Sequence, residues 1–183
     1  MALAHLLLGF LNTTPLSGYD LNKAFSTTVQ HFWTADQSQI YRTLYKMEAE
    51  GWVTTEQIIQ TDNPNKKVYH LTEAGREALR DWLRTPVEDA PTRIEWLGQL
   101  FFGDVLGDAA LIQVLEHYLE GLQQRQRALE ELGETLPPRE EWAGLPRAFQ
   151  LRLLTLDYGM EVHRCEIRWL EQAIARLHET TEG

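Results

Sequence analysis

The alternation of apolar and polar positions divides the chain into a mixed first half and a wholly helical second half. An apolar run from Ala2 to Leu11, interrupted by His5, predicts a short buried helix. Ser17-Gly18-Tyr19-Asp20 has the form of a capping box and opens a helix with Leu21 and Phe25 on one face. Asp36 or Ser38 caps the next helix, which runs to Glu50. Its residues Ile40, Leu44 and Met47 recur at i, i+4, i+7 and make one apolar stripe. Gly51 ends it. Two β-rich stretches follow, Trp52 to Gln60 and Lys67 to Leu71, joined by the polar turn Thr61-Asp62-Asn63-Pro64-Asn65-Lys66. Thr72 then caps a helix through Trp82. The order helix, helix, helix, strand, strand, helix within residues 1–85 predicts a winged helix-turn-helix domain.

Thr85-Pro86-Val87-Glu88-Asp89-Ala90-Pro91, two prolines with acids between them, reads as a linker. Thr92-Arg93-Ile94-Glu95 is a further capping box and opens a second domain over 92–183. Helices are expected from Thr92 to Phe102, Asp108 to Leu132 and Pro146 to Glu179, with Pro146 in the first turn, where its missing amide hydrogen loses no helical bond. In the last of these, Phe149, Leu153, Leu156, Met160, His163, Ile167, Leu170, Ile174 and Leu177 alternate spacings of 4 and 3, a heptad seam. A second apolar line, Leu151, Leu154, Tyr158, Val162, Cys165 and Trp169, runs beside it. A helix of about 50 Å, at about 1.5 Å per residue, outreaches a domain of this size. One apolar face is therefore expected to pack internally and the other against a second copy, and the heptad seam is assigned to the dimer contact. The fold class is mainly α: a winged domain followed by an all-helical dimerisation domain.

Composition narrows the function. With 43% hydrophobic and 24% charged residues the chain is neither disordered nor a membrane bundle. Its N-terminal apolar run lacks a basic leader and is too short to span a bilayer, so a cytoplasmic protein is expected. The single Cys165 allows no internal disulfide. The net charge of −10 is unevenly spread: residues 1–85 hold 8 Lys and Arg against 9 Asp and Glu, and residues 86–183 hold 9 against 18. All four lysines precede residue 68, which is what a local basic surface on an acidic protein looks like, or chance clustering of few residues.

On the helix ending at Glu50, a step of about 100° per residue puts Ser38, Arg42, Tyr45, Lys46 and Ala49 opposite the apolar stripe. Arg and Lys donate to guanine or phosphate, and Ser and Tyr donate to phosphate oxygens. The bland alternative is a solvated face, and the neighbouring hairpin tips the balance toward DNA. There Lys66 and Lys67 flank the turn, with Asn63 and Asn65 as uncharged donors. Gln37 and Gln39 either read adenine edges or solvate the helix start.

In the second half, Trp96, Phe101, Phe102, Tyr118, Tyr158 and Trp169 are candidate walls for a planar effector, the alternative being ordinary core packing. His163 and Cys165 lie about 200° apart on a helix and cannot chelate one ion; His163 is expected to set register in the seam. No metal or cofactor is expected. Neither a nucleophile motif nor a phosphate-binding glycine loop is present, and Gly103 to Gly107 lacks the G-x-x-x-x-G-K context, so an enzyme is not expected.

The stretches Gly18-Tyr19-Asp20-Leu21, Gln39-Ile40-Tyr41-Arg42-Thr43-Leu44, Met47-Glu48-Ala49-Glu50-Gly51-Trp52-Val53 and Tyr69-His70-Leu71-Thr72-Glu73-Ala74-Gly75-Arg76 together resemble the PadR family of bacterial transcriptional regulators. Leu100-Phe101-Phe102-Gly103-Asp104 and Trp169-Leu170-Glu171-Gln172-Ala173-Ile174 resemble its subgroup with a virulence-activator-type C-terminal domain. The resemblance implies a homodimer joined through its C-terminal helices. It further implies an inverted-repeat operator, usually repressed, and release by a small aromatic compound or drug. It also implies that Tyr41 lies near the DNA backbone or in helix packing, and that Lys67 is the basic wing position. The alternative is a dimeric ligand-binding or protein-interaction module that kept the winged scaffold without binding DNA.

Overall fold

A computed structural model describes residues 2–59, 66–87 and 93–181, with side chains to residue 179. The chain divides into two compact units, Met1–Asp89 and Ala90–Gly183, the boundary falling within the proline and acid stretch.

In the first unit, helix α1 (Ala2–Leu11) places Leu7, Leu8 and Leu11 in the core. Strand β1 (Leu16–Ser17) leads into α2 (Gly18–Thr28), and α3 spans Gln37–Ala49. Ser17 caps α2 by accepting from the Asp20 amide at 3.1 Å. At α3 the cap is Asp36, not Ser38: its carboxylate accepts from the Gln39 amide at 2.7 Å, while the Gln39 side-chain oxygen accepts from the Asp36 amide at 3.1 Å. Ile40, Leu44 and Met47 are buried as their spacing predicts, against Leu21 and Phe25 of α2 and the α1 leucines. Gly51, at φ 72°, ends α3 in a Schellman turn in which its amide donates to the Glu48 carbonyl and that of Trp52 to Met47.

Strands β2 (Val53–Ile58) and β3 (Lys66–Leu71) pair antiparallel, with Val53 opposite Leu71 and Ile58 opposite Lys66. Lys66 is thus the first residue of a strand rather than part of the turn. β1 adds to the other edge of β3, Leu16 opposite Tyr69, giving the order β1-β3-β2. Two residues are too few to register as alternation, which is why this strand goes unseen in the sequence. Helix α4 (Glu73–Arg84) follows its cap, Thr72.

The Thr72 hydroxyl sits 2.7 Å from the Gly51 carbonyl and 2.9 Å from that of Trp52, and it also accepts from the Gly75 amide at 3.1 Å. The first turn of α4 is therefore held to the end of α3. A Cβ at position 75 would overlap the Trp52 carbonyl, so this crossing requires glycine.

The second unit contains α5 (Glu95–Phe101), α6 (Asp108–Glu134) and α7 (Arg147–Thr181), with short 3-10 turns at Gly103–Val105 and Arg139–Gly144. Helix α5 begins later than its expected capping box. Ile94 occupies the N-cap in extended conformation without a side-chain cap, because its apolar side chain is drawn against the unit's core, and Glu95 supplies the negative charge in the first turn. Thr92 lies outside the described residues. Pro146 precedes α7 rather than entering it, its carbonyl accepting from the amides of Phe149 and Gln150.

Part of the heptad seam of α7 is buried within the chain, which corrects the assignment of those residues to a dimer contact. Leu153, Leu156, Leu170 and Ile174 are buried, and Phe149, Met160, His163, Ile167 and Leu177 are half-buried. Leu170 and Ile174 pack with Leu111, Ile112, Leu115 and Leu122 of α6. Leu170 and Ile174, closed over by α6, have almost no surface left for a partner. Leu151, Leu154, Tyr158, Cys165 and Trp169, on the second line, are the residues left exposed.

Candidate nucleic-acid interface

With the Ile40, Leu44 and Met47 stripe turned inward, α3 exposes Gln37, Ser38, Gln39, Arg42, Tyr45 and Lys46. Gln39 has one lone pair of its side-chain oxygen engaged in the cap, which leaves its amide hydrogens and one acceptor position. Tyr41 is half-buried, its ring lying over the start of α2 where Gly18 leaves room for it.

The hairpin lysines are not free charges. The Lys67 ammonium is 2.8 Å from one Glu48 carboxylate oxygen, while the other accepts from the Thr55 hydroxyl at 2.7 Å. The same ammonium lies 5.4 Å from the ring centroids of both Tyr45 and Tyr69. The Lys67 bond, and then the Thr55 bond, hold the Glu48 carboxyl below its ordinary value, and Glu48 in turn raises Lys67. Burial pushes the Tyr69 phenol up, so it remains neutral. Lys66 pairs with Asp20 at 2.7 Å, and Asp20 also accepts from the Ser17 hydroxyl at 2.7 Å; both partners lower its carboxyl, Lys66 the more. Asn63 and Asn65 lie outside the described residues.

Among the described residues, Arg42 and Lys46 have no carboxylate within ion-pairing distance, in contrast to Lys66 and Lys67. The cations of α3 and of the hairpin thus differ: those on α3 are unpaired, and those on β3 are compensated. Asp20 as the Lys66 partner is invisible to sequence spacing, since the two are brought together only when the start of α2 meets β3.

Of the aromatic candidates in the second unit, three come together: Trp96 is 5.6 Å from Trp169 and 6.0 Å from Tyr118, ring centre to ring centre. Trp96 is buried, Tyr118 half-buried and Trp169 exposed, so the cluster runs from the core to the surface. Phe101 and Phe102 contact each other edge to face at 4.9 Å and are exposed, as is Tyr158. His163 is half-buried with no hydrogen-bond partner for its Nδ1, and burial, aided by Arg125, lowers its pKa. Among the described residues no group of three or more His, Cys, Asp or Glu is placed to hold a metal, and no helix is long and apolar enough to cross a membrane.

Residues 7–81 match the model of the transcriptional regulator PadR-like family, and residues 92–178 match that of the virulence activator alpha C-terminal domain. The negative transcriptional regulator PadR of Bacillus subtilis is 30% identical over 180 residues, 96% of this chain and 97% of that protein. The chain belongs to the PadR-like family of transcriptional regulators. It is therefore a DNA-binding regulator by family and not an enzyme. A probable transcriptional regulator of Mycobacterium tuberculosis is 42% identical over 93 residues, about half of this chain (51%) and about half the length of that relative (48%). Among solved structures, B. subtilis PadR in complex with operator DNA superposes with a TM-score of 0.84 at 28% identity, covering 97% of this chain and 99% of that one. The Vibrio cholerae virulence activator AphA superposes at 0.79 with 29% identity, covering the same shares of the two chains. Both PadR-like halves, the winged unit and the helical region, are thus present in one chain.

Proposed function

We propose that this PadR-like chain is a dimeric, cytoplasmic repressor that reads an inverted-repeat operator through α3 and the β2–β3 hairpin. The observation that carries the reading is the exposed Ser38, Arg42, Tyr45 and Lys46 face, on the helix that leads into the hairpin of a winged unit. Repression fits the name of the Bacillus relative, a negative regulator. Residues 1–85 serve as the DNA-binding domain and 92–183 as the dimerisation and effector domain. The exposed line Leu151, Leu154, Tyr158 and Trp169 of α7, rather than the buried part of the seam, is the face offered to a second copy. Release by a small aromatic effector is supported by the complex of B. subtilis PadR with p-coumaric acid.

Arg42 and Lys46 are the direct contacts, being unpaired cations on the exposed face of α3. Lys66 and Lys67 approach phosphate with their charge already offset by Asp20 and Glu48. The compensated lysines favour one alternative, a winged ligand-binding or interaction module without DNA. Selection of bound sequences from a random duplex pool, followed by a salt titration, separates the two. An enriched inverted repeat with steep salt dependence supports the repressor, and no enrichment supports the module.

A further inference from the structure

Lys67 belongs to β3, yet its charge sits at the edge of the exposed face of α3. Its ammonium lies 5.4 Å from the ring centroid of Tyr45, a residue of that face which is itself 60% exposed. At the same point α3 supplies the opposite charge. The Glu48 carboxylate reaches both strands of the hairpin: one oxygen accepts from the Lys67 ammonium of β3 at 2.8 Å, the other from the Thr55 hydroxyl of β2 at 2.7 Å.

A backbone phosphate would offer the same lysine the same kind of bond, because carboxylate and phosphate oxygens are both anionic acceptors for an ammonium. Glu48 stays charged to provide it, since the Lys67 bond, and then the Thr55 bond, hold its carboxyl below the ordinary value. A lysine that approaches a duplex with a carboxylate attached brings no net charge. It therefore displaces little of the counterion atmosphere and adds little salt-dependent affinity. Asp20 offsets Lys66 likewise, but its carboxylate also takes the hydroxyl of Ser17, the cap of α2, so Glu48 is the cleaner of the two to isolate.

We propose that Glu48 is an internal stand-in for DNA phosphate: it holds Lys67 beside α3 while withholding its charge from the duplex backbone, and so keeps down the sequence-independent part of DNA affinity. This rests on the reading that α3 and the hairpin meet DNA. Phosphate contacts carry no sequence information directly. The attenuation therefore falls on all duplexes alike, and discrimination is left to the side chains of α3.

The test is fluorescence anisotropy of the full chain on the selected duplex and on a random duplex of equal length, each across a salt series. Glu48→Gln removes the charge and keeps an acceptor for Thr55. It tightens binding to both duplexes by the same factor, about fivefold at about 100 mM salt, and steepens the slope of log affinity against log salt by about 0.9 for each lysine released. Adding Lys67→Gln abolishes this gain. Glu50→Gln makes the same charge change at an exposed acid outside the pair, and alters affinity by less than about twofold. A loss of affinity in Glu48→Gln would show a brace that positions Lys67, and an unequal change on the two duplexes would show a base contact. A gain from Glu50→Gln as large as that from Glu48→Gln would reduce the effect to bulk charge. Each of these overturns the proposal, as does unchanged affinity, while wild-type binding to the selected duplex leaves the operator reading standing. A chain that binds no duplex, with Glu48 or with Gln in its place, overturns both.

Discussion

The two units close their helices by different means. In the first, α2, α3 and α4 each start at a side chain that accepts an amide, namely Ser17, Asp36 and Thr72. In the second, α5 and α6 start at Ile94 and Gly107 without any side-chain cap. The first unit also keeps its α3 stripe fully inside, whereas α7 leaves a line of large apolar side chains in water, among them Tyr158 at 67% exposure. Local hydrogen bonds define where the elements of the first unit begin and end. The second is held by apolar packing, which its own residues leave incomplete.

The contrast is sharpest at α7. Leu154→Asp puts a charge on the exposed line and is expected to weaken self-association by more than a hundredfold, about 3 kcal/mol, without unfolding the monomer. Analytical ultracentrifugation across a concentration series reads this directly, and unchanged association sinks the assignment of the line. In the first unit, Gly75→Ala drives a methyl group into the Trp52 carbonyl and should lower stability by about 2 kcal/mol in urea unfolding. A loss under half a kcal/mol would mean that α4 can slide off the hairpin root at little cost.

Asp36→Ala removes the α3 cap and is expected to cost about 1 kcal/mol by the same measurement, with Asp36→Asn retaining most of it. The smallest effect concerns acid. Asp20 and Glu48 have lowered carboxyl pKa values in the fold. Their stabilisation is therefore present above the unfolded values near 3.8 and 4.5 and is lost as pH falls through the lower folded ones. Both pairs are roughly a third exposed, so each is worth well under 1 kcal/mol. Glu48→Gln should flatten the acid limb of the stability curve by that amount, and an unaltered limb would show the pair to be neutral.

How much of this was legible depends on range. The α3 stripe, the glycine stop and the Thr72 cap are written within a few residues of where they act, so spacing reveals them. The second strand of the hairpin was legible too, though Lys66 was misplaced by one position. What spacing cannot carry is contact between distant segments. The pairing of Lys66 with Asp20 is of this kind, as is that of Lys67 with Glu48. The choice between two parallel apolar lines on α7 is likewise made by α6. The late start of α5 has a related cause: Ile94 is drawn against the core of its unit, a contact that local spacing does not show.

The Thr72 hydroxyl has a consequence for connectivity. By gripping the carbonyls of Gly51 and Trp52 while capping α4, it welds the exit of α3 to the entrance of α4. One hydroxyl thus staples two helix ends that lie about twenty residues apart along the chain, with the hairpin looped out between them.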